Sequence, residues 1–402
     1  MRPAPSRETM LAFPVPTRAT IVNEPAKLRQ ATRPLRLLLI QPQAENAGAQ
    51  EVARLLSRGL KQDGHTVGHL FFFRRTASFD VEEDVRFCAA SRPTGPLGVL
   101  KLLARLHAEI RRFKPDVVLC FQHYGNVIGG PMARLAGVKL VVANQNSAAL
   151  TTPKPARIAD RILGSIGVFK SIVAVSAAAA AGYDDYPAAY RARLSRIDHG
   201  VDVKVGELGK AAARARFGLP ETGVVLGCAS RLHPLKNLQA AVRLLALEPS
   251  WTLALAGQGT EREALLKLAG DLGCAERLRL LGELDAAGVA DFLTALDVFV
   301  FPSLAETFGM AVVEAAQAGV PVVAHGLPVL KEVLQADGEP CALFVDDIDD
   351  IAALRTAVAR FLDDAQMAQA FAARGRSLAE RYPVSAMVDE YERLLRSITR
   401  GL

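Results

Sequence analysis

Aromatic side chains are scarce in this chain, 6% of 402 residues with a single Trp, while half of all residues are hydrophobic. The many Ala and Leu that take their place suit helices packed on sheets, an α/β composition. Cysteine is sparse as well: Cys88, Cys120, Cys228, Cys274 and Cys341 are odd in number, widely scattered, and form no Cys-x-x-Cys pair. That pattern argues against a disulfide framework or a structural zinc site. No apolar run approaches the ~18 residues that span a bilayer, and the N-terminus lacks the ~7–15-residue apolar stretch of a secretory signal. The expected location is cytoplasmic. A length of 402 residues is two to three times a typical domain of ~100–200, so two domains with separate cores are expected.

Charge is divided unevenly. Up to residue 205 the chain carries 29 Lys and Arg against 16 Asp and Glu, a balance of +13; beyond it 19 stand against 26, a balance of −7. A basic half beside an acidic half points to an anionic partner for the first half, such as a membrane surface or a phosphorylated substrate, unless the charge is only a solvated surface. Nucleic acid is not an expected partner.

Residues 1–34 are rich in Pro, Thr and Arg without sustained periodicity and are expected to form a flexible basic leader. From LRLLLIQ (Leu35 to Gln41) onward, short apolar runs alternate with helical patterns: HTVGHLFFF, PDVVLCF, VKLVVAN and SIVAVS in the first half, then GVVLGCA, WTLALAG, RLRLLG, DVFVF, VPVVA and CALFV after residue 205. Continuous apolar runs between helices predict parallel sheets buried on both faces. Two such series predict two Rossmann-like, doubly wound domains, 35–205 and 206–385, followed by a terminal helix over 386–402. In open sheets of this kind ligands bind at the carboxyl ends of strands, so chemistry is expected in the loops that follow these runs. The pattern LKLLARLHAEIRRFK (Leu100 to Lys114) puts Leu102, Leu103, Leu106, Ile110 and Phe113 on one helical stripe opposite a cationic cluster. Such a helix can lie on an anionic membrane or pack on its own sheet.

The stretch FPSLAETFGMAVVEAAQAGVPVV holds two glutamates eight positions apart in otherwise core-like sequence. Glu306 falls in the loop after a strand, and Glu314 inside the following helix, which Gly319 ends. A buried carboxylate is costly without a polar partner; an exposed helix position is the plain alternative for Glu314. GCASRLHPLKNLQAAVRLL carries Arg231 and Lys236 five residues apart at a loop-to-helix junction, suited to a diphosphate or merely solvated. LALAGQGTEREALL supplies a Gly-x-Gly turn at Gly257 and Gly259, but Arg262 stands where a dinucleotide fingerprint needs its third glycine, and there is no Gly-x4-Gly-Lys-Ser/Thr loop. An NAD-dependent dehydrogenase is therefore disfavoured.

Together these segments resemble the Glu-x7-Glu, Arg-x4-Lys and Gly-x-Gly elements of glycosyltransferase family 4, the group 1 enzymes of retaining GT-B type. The resemblance covers roughly residues 35–385, more closely in the second half. It implies a GT-B fold, two Rossmann-like domains facing a central cleft, with the terminal helix packing back on the first domain. It implies that Glu306 holds hydroxyls of a donor sugar, Glu314 the nucleotide ribose, and Arg231 and Lys236 the departing diphosphate. The N–H groups of Thr307, Phe308, Gly309 and Met310 would face phosphate or sugar oxygens, and Glu283 and Leu284, after Gly282, would line the nucleoside pocket. Gly48, after Ala47, stands where the family usually has a Gly-Gly pair, and would let the backbone close over the donor phosphates; a simple strand-to-helix turn is the alternative. His123 in CFQHYGN would orient an acceptor hydroxyl or contact the sugar, or be structural. Where many relatives have a His, this chain has Asn144, Gln145 and Asn146, which cannot act as bases. RIDHGVD resembles the family element that ends the first domain and places a hinge near Gly200.

The implied activity is retaining, front-face transfer of a hexose from a nucleotide diphosphate sugar to a glycan or lipid-linked acceptor. An envelope or exported polysaccharide precursor is the expected acceptor, and attachment to the inner face of a membrane through the basic first domain is an accompanying expectation. His199, His233 and His325 have no metal-ligand spacing, so no obligatory metal or cofactor is expected. A sugar-nucleotide epimerase on the same two-domain plan, or a catalytically silent sugar-nucleotide-binding partner in a polysaccharide assembly complex, are the alternative functions.

Overall fold

The computed structural model describes residues 33–80, 83–148, 151–203 and 205–400. The leader expected over 1–34 lies outside the described residues except for its last two positions. The first half forms strands β1 (Arg36–Ala44), β2 (Thr66–Arg74), β3 (Val85–Ala89), β4 (Val117–Phe121), β5 (Leu140–Gln145), β6 (Ser171–Ala174) and β7 (Leu194–Arg196). These make one parallel sheet in the order β3-β2-β1-β4-β5-β6-β7. The second half forms β8 (Val224–Ala229), β9 (Trp251–Ala256), β10 (Leu278–Gly282), β11 (Val298–Phe301), β12 (Val322–His325), a small hairpin β13 (Gln335–Ala336) and β14 (Glu339–Pro340), and β15 (Leu343–Val345). Its parallel sheet runs β10-β9-β8-β11-β12-β15.

Both sheets are buried on both faces, which is why their strands are continuous apolar runs: Leu37, Leu38, Leu39 and Ile40 on β1, and Val298 through Phe301 on β11, are all sealed from solvent. β1 lies between β2 and β4, and β8 between β9 and β11, so strand order reverses beside each of these central strands. Ligand crevices in open sheets form where the order reverses, at the carboxyl ends. The loops after β1, β4, β8 and β11 are therefore the ones that build the site.

Strands β3 and β7, like the two-residue strands of the hairpin β13–β14, are not signalled by apolar runs. β3 is an edge strand whose residues are mostly half-buried, and β7 has three residues, so neither needs a continuous apolar stretch. The amphipathic stripe belongs to a helix, Gly95–Phe113. Leu102, Leu106 and Ile110 pack in the core of the first sheet and Phe113 lies over Gly68 of β2, so this face serves the fold and not a membrane. Among the described residues no helix is long and apolar enough to cross a bilayer.

The chain passes from the first sheet to the second after β7 and returns before a last helix, Val384–Thr399. The two crossings run side by side: Val201 N–H donates to Tyr382 O at 2.9 Å, and a Cβ on Gly200 would come within 2.6 Å of Val384 Cα. Met387, Val388, Tyr391 and Leu395 of the last helix enter the core of the first sheet, and Tyr391 Oη donates to Asn144 Oδ1 at 2.6 Å. Glu392 lies 2.5 Å from His65 Nε2, a buried contact that fixes the same docking.

Candidate functional site

A cleft of about 860 Å³ is lined by the loops at the carboxyl ends of the two sheets. On the second-domain wall, the loop after β8 lies directly on the Gly-x-Gly turn: Ser230 N–H donates to Ala256 O at 2.9 Å and Leu232 N–H to Gln258 O at 3.0 Å. A Cβ on Gly257, whose φ is +133°, would overlap Ser230 O, and one on Gly259 would overlap Leu232 O. Both glycines are thus required for the close backbone approach that presents Arg231. The loop then makes a 3-10 turn, Pro234–Lys236, capped by His233 Nδ1, which accepts from Leu235 N–H at 3.2 Å. Leu304 N–H and Ser303 Oγ both donate to Leu235 O, at 2.8 and 3.2 Å, which ties this turn to the loop after β11.

That tie brings Lys236 to Glu306. Nζ donates to Oε1 at 2.5 Å while passing 5.4 Å from the centroid of the Phe301 ring, and the two side chains are 19% and 10% exposed. The carboxylate in the loop is therefore held by the cation five residues beyond Arg231, and in the low local dielectric each charge fixes the other's position. Arg231 is balanced differently: its Nη1 lies 3.6 Å from Glu45 Oε1 of the first domain.

The helix that follows, Met310–Gln317, begins at the last of the four residues whose N–H groups are expected at its start, leaving Thr307, Phe308 and Gly309 in the loop. Gly309 is its N-cap residue at φ +88° and offers no side-chain cap. Among the described residues no hydrogen bond takes up the N–H groups of Thr307, Phe308, Gly309 or Met310. These amides stand on the cleft, where a helix N-terminus favours negative charge. Glu314 lies one turn into the same helix, buried, and lines the same cleft. Gly309→Ala is expected to lower stability by about 1–3 kcal/mol, the usual cost of a strained backbone conformation. Its Cβ would also meet Leu330 Cδ2 at 2.9 Å. The displaced helix start should raise KM for the donor more than it lowers kcat, which thermal melts and steady-state kinetics together would detect.

The first domain closes on this wall at Gly48, the first residue of the helix Gly48–Gln62: a Cβ there would come 3.3 Å from Met310 Cγ. Asn46 N–H donates across the cleft to Glu283 Oε1 at 3.2 Å, so Glu283 bridges the domains as well as lining the site beside Leu284. Ser176 Oγ donates to Thr307 O at 2.8 Å, a third link between the walls.

The remaining sequence candidate, His123, is not on the cleft wall. Its Nδ1 lies 3.2 Å from Ser147 Oγ, its ring packs on Tyr124, and its buried Nε2 has no hydrogen-bond partner among the described residues; burial lowers its pKa. Its neighbour Gln122, at φ +63°, lines the cleft instead. Of the three amides at the end of β5, Asn144 is tied to Cys120 O and Tyr391, and Gln145 to Asp160 and Tyr190, both inside the fold. Asn146 alone reaches the cleft, with its Nδ2 3.2 Å from His199 Nε2.

His199 also lines the cleft and packs on Phe308 at 5.2 Å between ring centroids. Sequence spacing gave no signal for it as a site residue beyond its place in RIDHGVD. Burial pushes its pKa down to about 3, so the ring is neutral and Nε2 can accept from Asn146. A folded-state pKa below the ordinary 6.5 means that the unfolded chain takes up the proton first, so this contribution to stability is complete above pH 6.5 and is lost as pH falls toward 3. The fall in melting temperature from pH 7 to pH 5 should therefore be smaller in His199→Gln than in the wild type. A residual fall is expected from His69, which burial lowers to about 4.

A model of the family described as glycosyl transferases group 1 matches residues 209–378, and a model of Glycosyltransferase Family 4 matches residues 47–205. The D-inositol 3-phosphate glycosyltransferase of Thermobifida fusca is 30% identical over 341 residues, covering 72% of this chain and 76% of that protein. The lipopolysaccharide core biosynthesis mannosyltransferase LpsB of Rhizobium meliloti is 30% identical over 216 residues, 50% of this chain and 61% of that protein. Among solved structures, Anabaena HepE in complex with UDP and glucose aligns with a TM-score of 0.78 at 19% identity, over 90% of this chain and all of that one. WaaG, a glycosyltransferase involved in lipopolysaccharide biosynthesis, aligns at 0.72 and 15%, over 91% of this chain and all of that one. At those identities the solved structures speak for the fold, two Rossmann-like domains of GT-B type.

Proposed function

Since the chain belongs to the group 1, family 4 glycosyltransferases of GT-B fold, we propose that it moves a hexose from a nucleotide diphosphate sugar to a glycan or lipid-linked acceptor, with retention at the anomeric carbon and without an obligatory metal. The observation that carries this reading is the Lys236–Glu306 pair standing in one cleft beside the amides of Thr307 to Met310, which no hydrogen bond among the described residues takes up. Cations and oriented N–H groups stabilise a departing diphosphate, and a fixed carboxylate accepts hydrogen bonds from sugar hydroxyls.

In this mechanism Arg231 and Lys236 lie against the diphosphate, the amides at 307–310 take phosphate or sugar oxygens, and Glu306 orients the hexose. Glu314 receives the ribose hydroxyls, and Glu283 and Leu284 border the base. As the bond to the leaving oxygen breaks, the diphosphate takes the developing charge and the acceptor's proton, while the acceptor oxygen bonds to the anomeric carbon on the same face. His123, whose Nδ1 lies 3.2 Å from Ser147 Oγ, supports in this reading the loop that carries Asn146. The names of the two curated relatives, acting on an inositol phosphate and on lipopolysaccharide core, support an acceptor of envelope or small-polyol type. The basic first half supports an inner-membrane-associated location.

The test incubates UDP-, GDP- and ADP-sugars with the protein and a set of glycan and lipid acceptors, following nucleoside diphosphate release and the anomeric proton of the product by NMR. Acceptor-dependent release from one donor, with the donor's configuration kept in the product, is the expected result. Inverted product overturns retention, release without any acceptor product points to an epimerase, and binding without turnover to a silent partner.

A further inference from the structure

The first-domain wall of the cleft carries three arginines that the donor chemistry does not use. Arg54 and Arg58 stand one turn apart on the outer face of the helix Gly48–Gln62, and Arg75 follows β2; all three line the cleft together with Thr76 and Ser78. Arg54 is held rigidly: Nη1 pairs with Glu51 at 2.7 Å, Nη2 lies 3.4 Å from Ser78 O, and the guanidinium sits 4.3 Å from the centroid of the buried Phe79 ring. Arg75 shares the Glu45 carboxylate with Arg231, at 2.9 and 3.6 Å, so it stands one carboxylate away from the expected diphosphate. Arg58 is exposed and makes no ion pair or hydrogen bond among the described residues. Thr76 Oγ1 and Ser78 Oγ lie 2.6 Å apart; one hydroxyl donates to the other, which leaves one O–H to donate outward.

Among the described residues, Glu45 pairs with Arg75 and Glu51 with Arg54, and no acidic side chain pairs with Arg58. A tetrahedral dianion matches several guanidinium donors plus a hydroxyl, whereas a carboxylate is satisfied by one bidentate arginine. We propose that Arg54, Arg58 and Arg75, with Thr76 and Ser78, form a subsite for a phosphate group carried by the acceptor. This rests on the transferase reading, because it takes the second-domain wall as the donor's. The phosphate belongs either to a soluble phosphorylated polyol or sugar or to a lipid headgroup.

The experiment first saturates the protein with whichever of UDP, GDP or ADP it binds, so that the donor diphosphate position is filled. It then titrates glycerol 3-phosphate, glycerol, and phosphatidylcholine vesicles with and without phosphatidic acid. Wild type, Arg58→Ala, Arg58→Lys and, as a charge control on the other domain, Lys267→Ala are compared. The expected result is binding of a phosphate-bearing probe and not of glycerol, weakened tenfold or more in Arg58→Ala, partly restored in Arg58→Lys, and unchanged in Lys267→Ala. Binding of glycerol 3-phosphate assigns a soluble acceptor; binding confined to phosphatidic acid vesicles with the same dependence assigns a lipid one. Nucleotide binding without phosphate binding, with phosphate affinity indifferent to Arg58, or with equal loss in Lys267→Ala, overturns the subsite and leaves the transferase reading intact. Failure of all three nucleotides to bind overturns both.

Discussion

Glu306→Gln is expected to lower kcat/KM for transfer about 100-fold, the usual scale for removing one preorganised electrostatic group from an active site. The substitution keeps shape and volume but replaces a charged, two-oxygen acceptor by one carbonyl and one amide, so sugar hydroxyls lose an acceptor and meet a donor. Lys236 then loses the carboxylate that lies 2.5 Å from its Nζ. Because the amide still accepts a hydrogen bond, the fold should remain intact, and a thermal melt close to wild type accompanies the kinetic loss. A fall in KM for the donor with unchanged kcat would assign Glu306 a different part.

Lys236→Ala is expected to act on both activity and stability. It removes a cation from the proposed leaving diphosphate, at a similar kinetic cost of about 100-fold. It also leaves Glu306, 10% exposed, as a carboxylate without its cation. Breaking a fully buried pair costs about 3–5 kcal/mol. This pair is partly accessible through Lys236, so about 2 kcal/mol is expected, read by denaturant unfolding. The double variant Lys236→Met with Glu306→Gln should recover most of that stability and none of the activity. Additive stability losses in the double variant would contradict the coupling that the geometry implies.

Most of this arrangement is legible in the sequence for one physical reason. Strands buried on both faces must be apolar throughout, so β1, β4, β8 and β11 and the loops behind them announce themselves. Edge strand β3 has one neighbouring strand and no fully buried residue, with Arg86 among its residues, and nothing in its composition demands a strand. Glu306, Glu314, Arg231 and Lys236 are readable because each pair lies within one loop-helix segment, where spacing carries information. The residues missed converge from separate segments: Asn146 after β5, His199 at the domain crossing, Arg54 and Arg58 on a helix face, and Arg75 after β2 meet only when both sheets are folded. Their only local signal is the i, i+4 spacing of Arg54 and Arg58, which any solvated helix face can show. His123 is the converse case, a sequence candidate that does not line the cleft. It follows a strand at the right end of the sheet, but the backbone at Gln122 enters the positive-φ region, and the imidazole meets Ser147 while Gln122 lines the cleft.

The donor site on the second domain is the claim on which the rest depends. Calorimetric titration of UDP, GDP and ADP into wild type, Arg231→Ala and Glu314→Ala tests it most directly. Binding of one nucleoside diphosphate to wild type, weakened tenfold or more by either substitution, is the predicted result. Binding that neither substitution weakens, or no binding of any of the three, would contradict it.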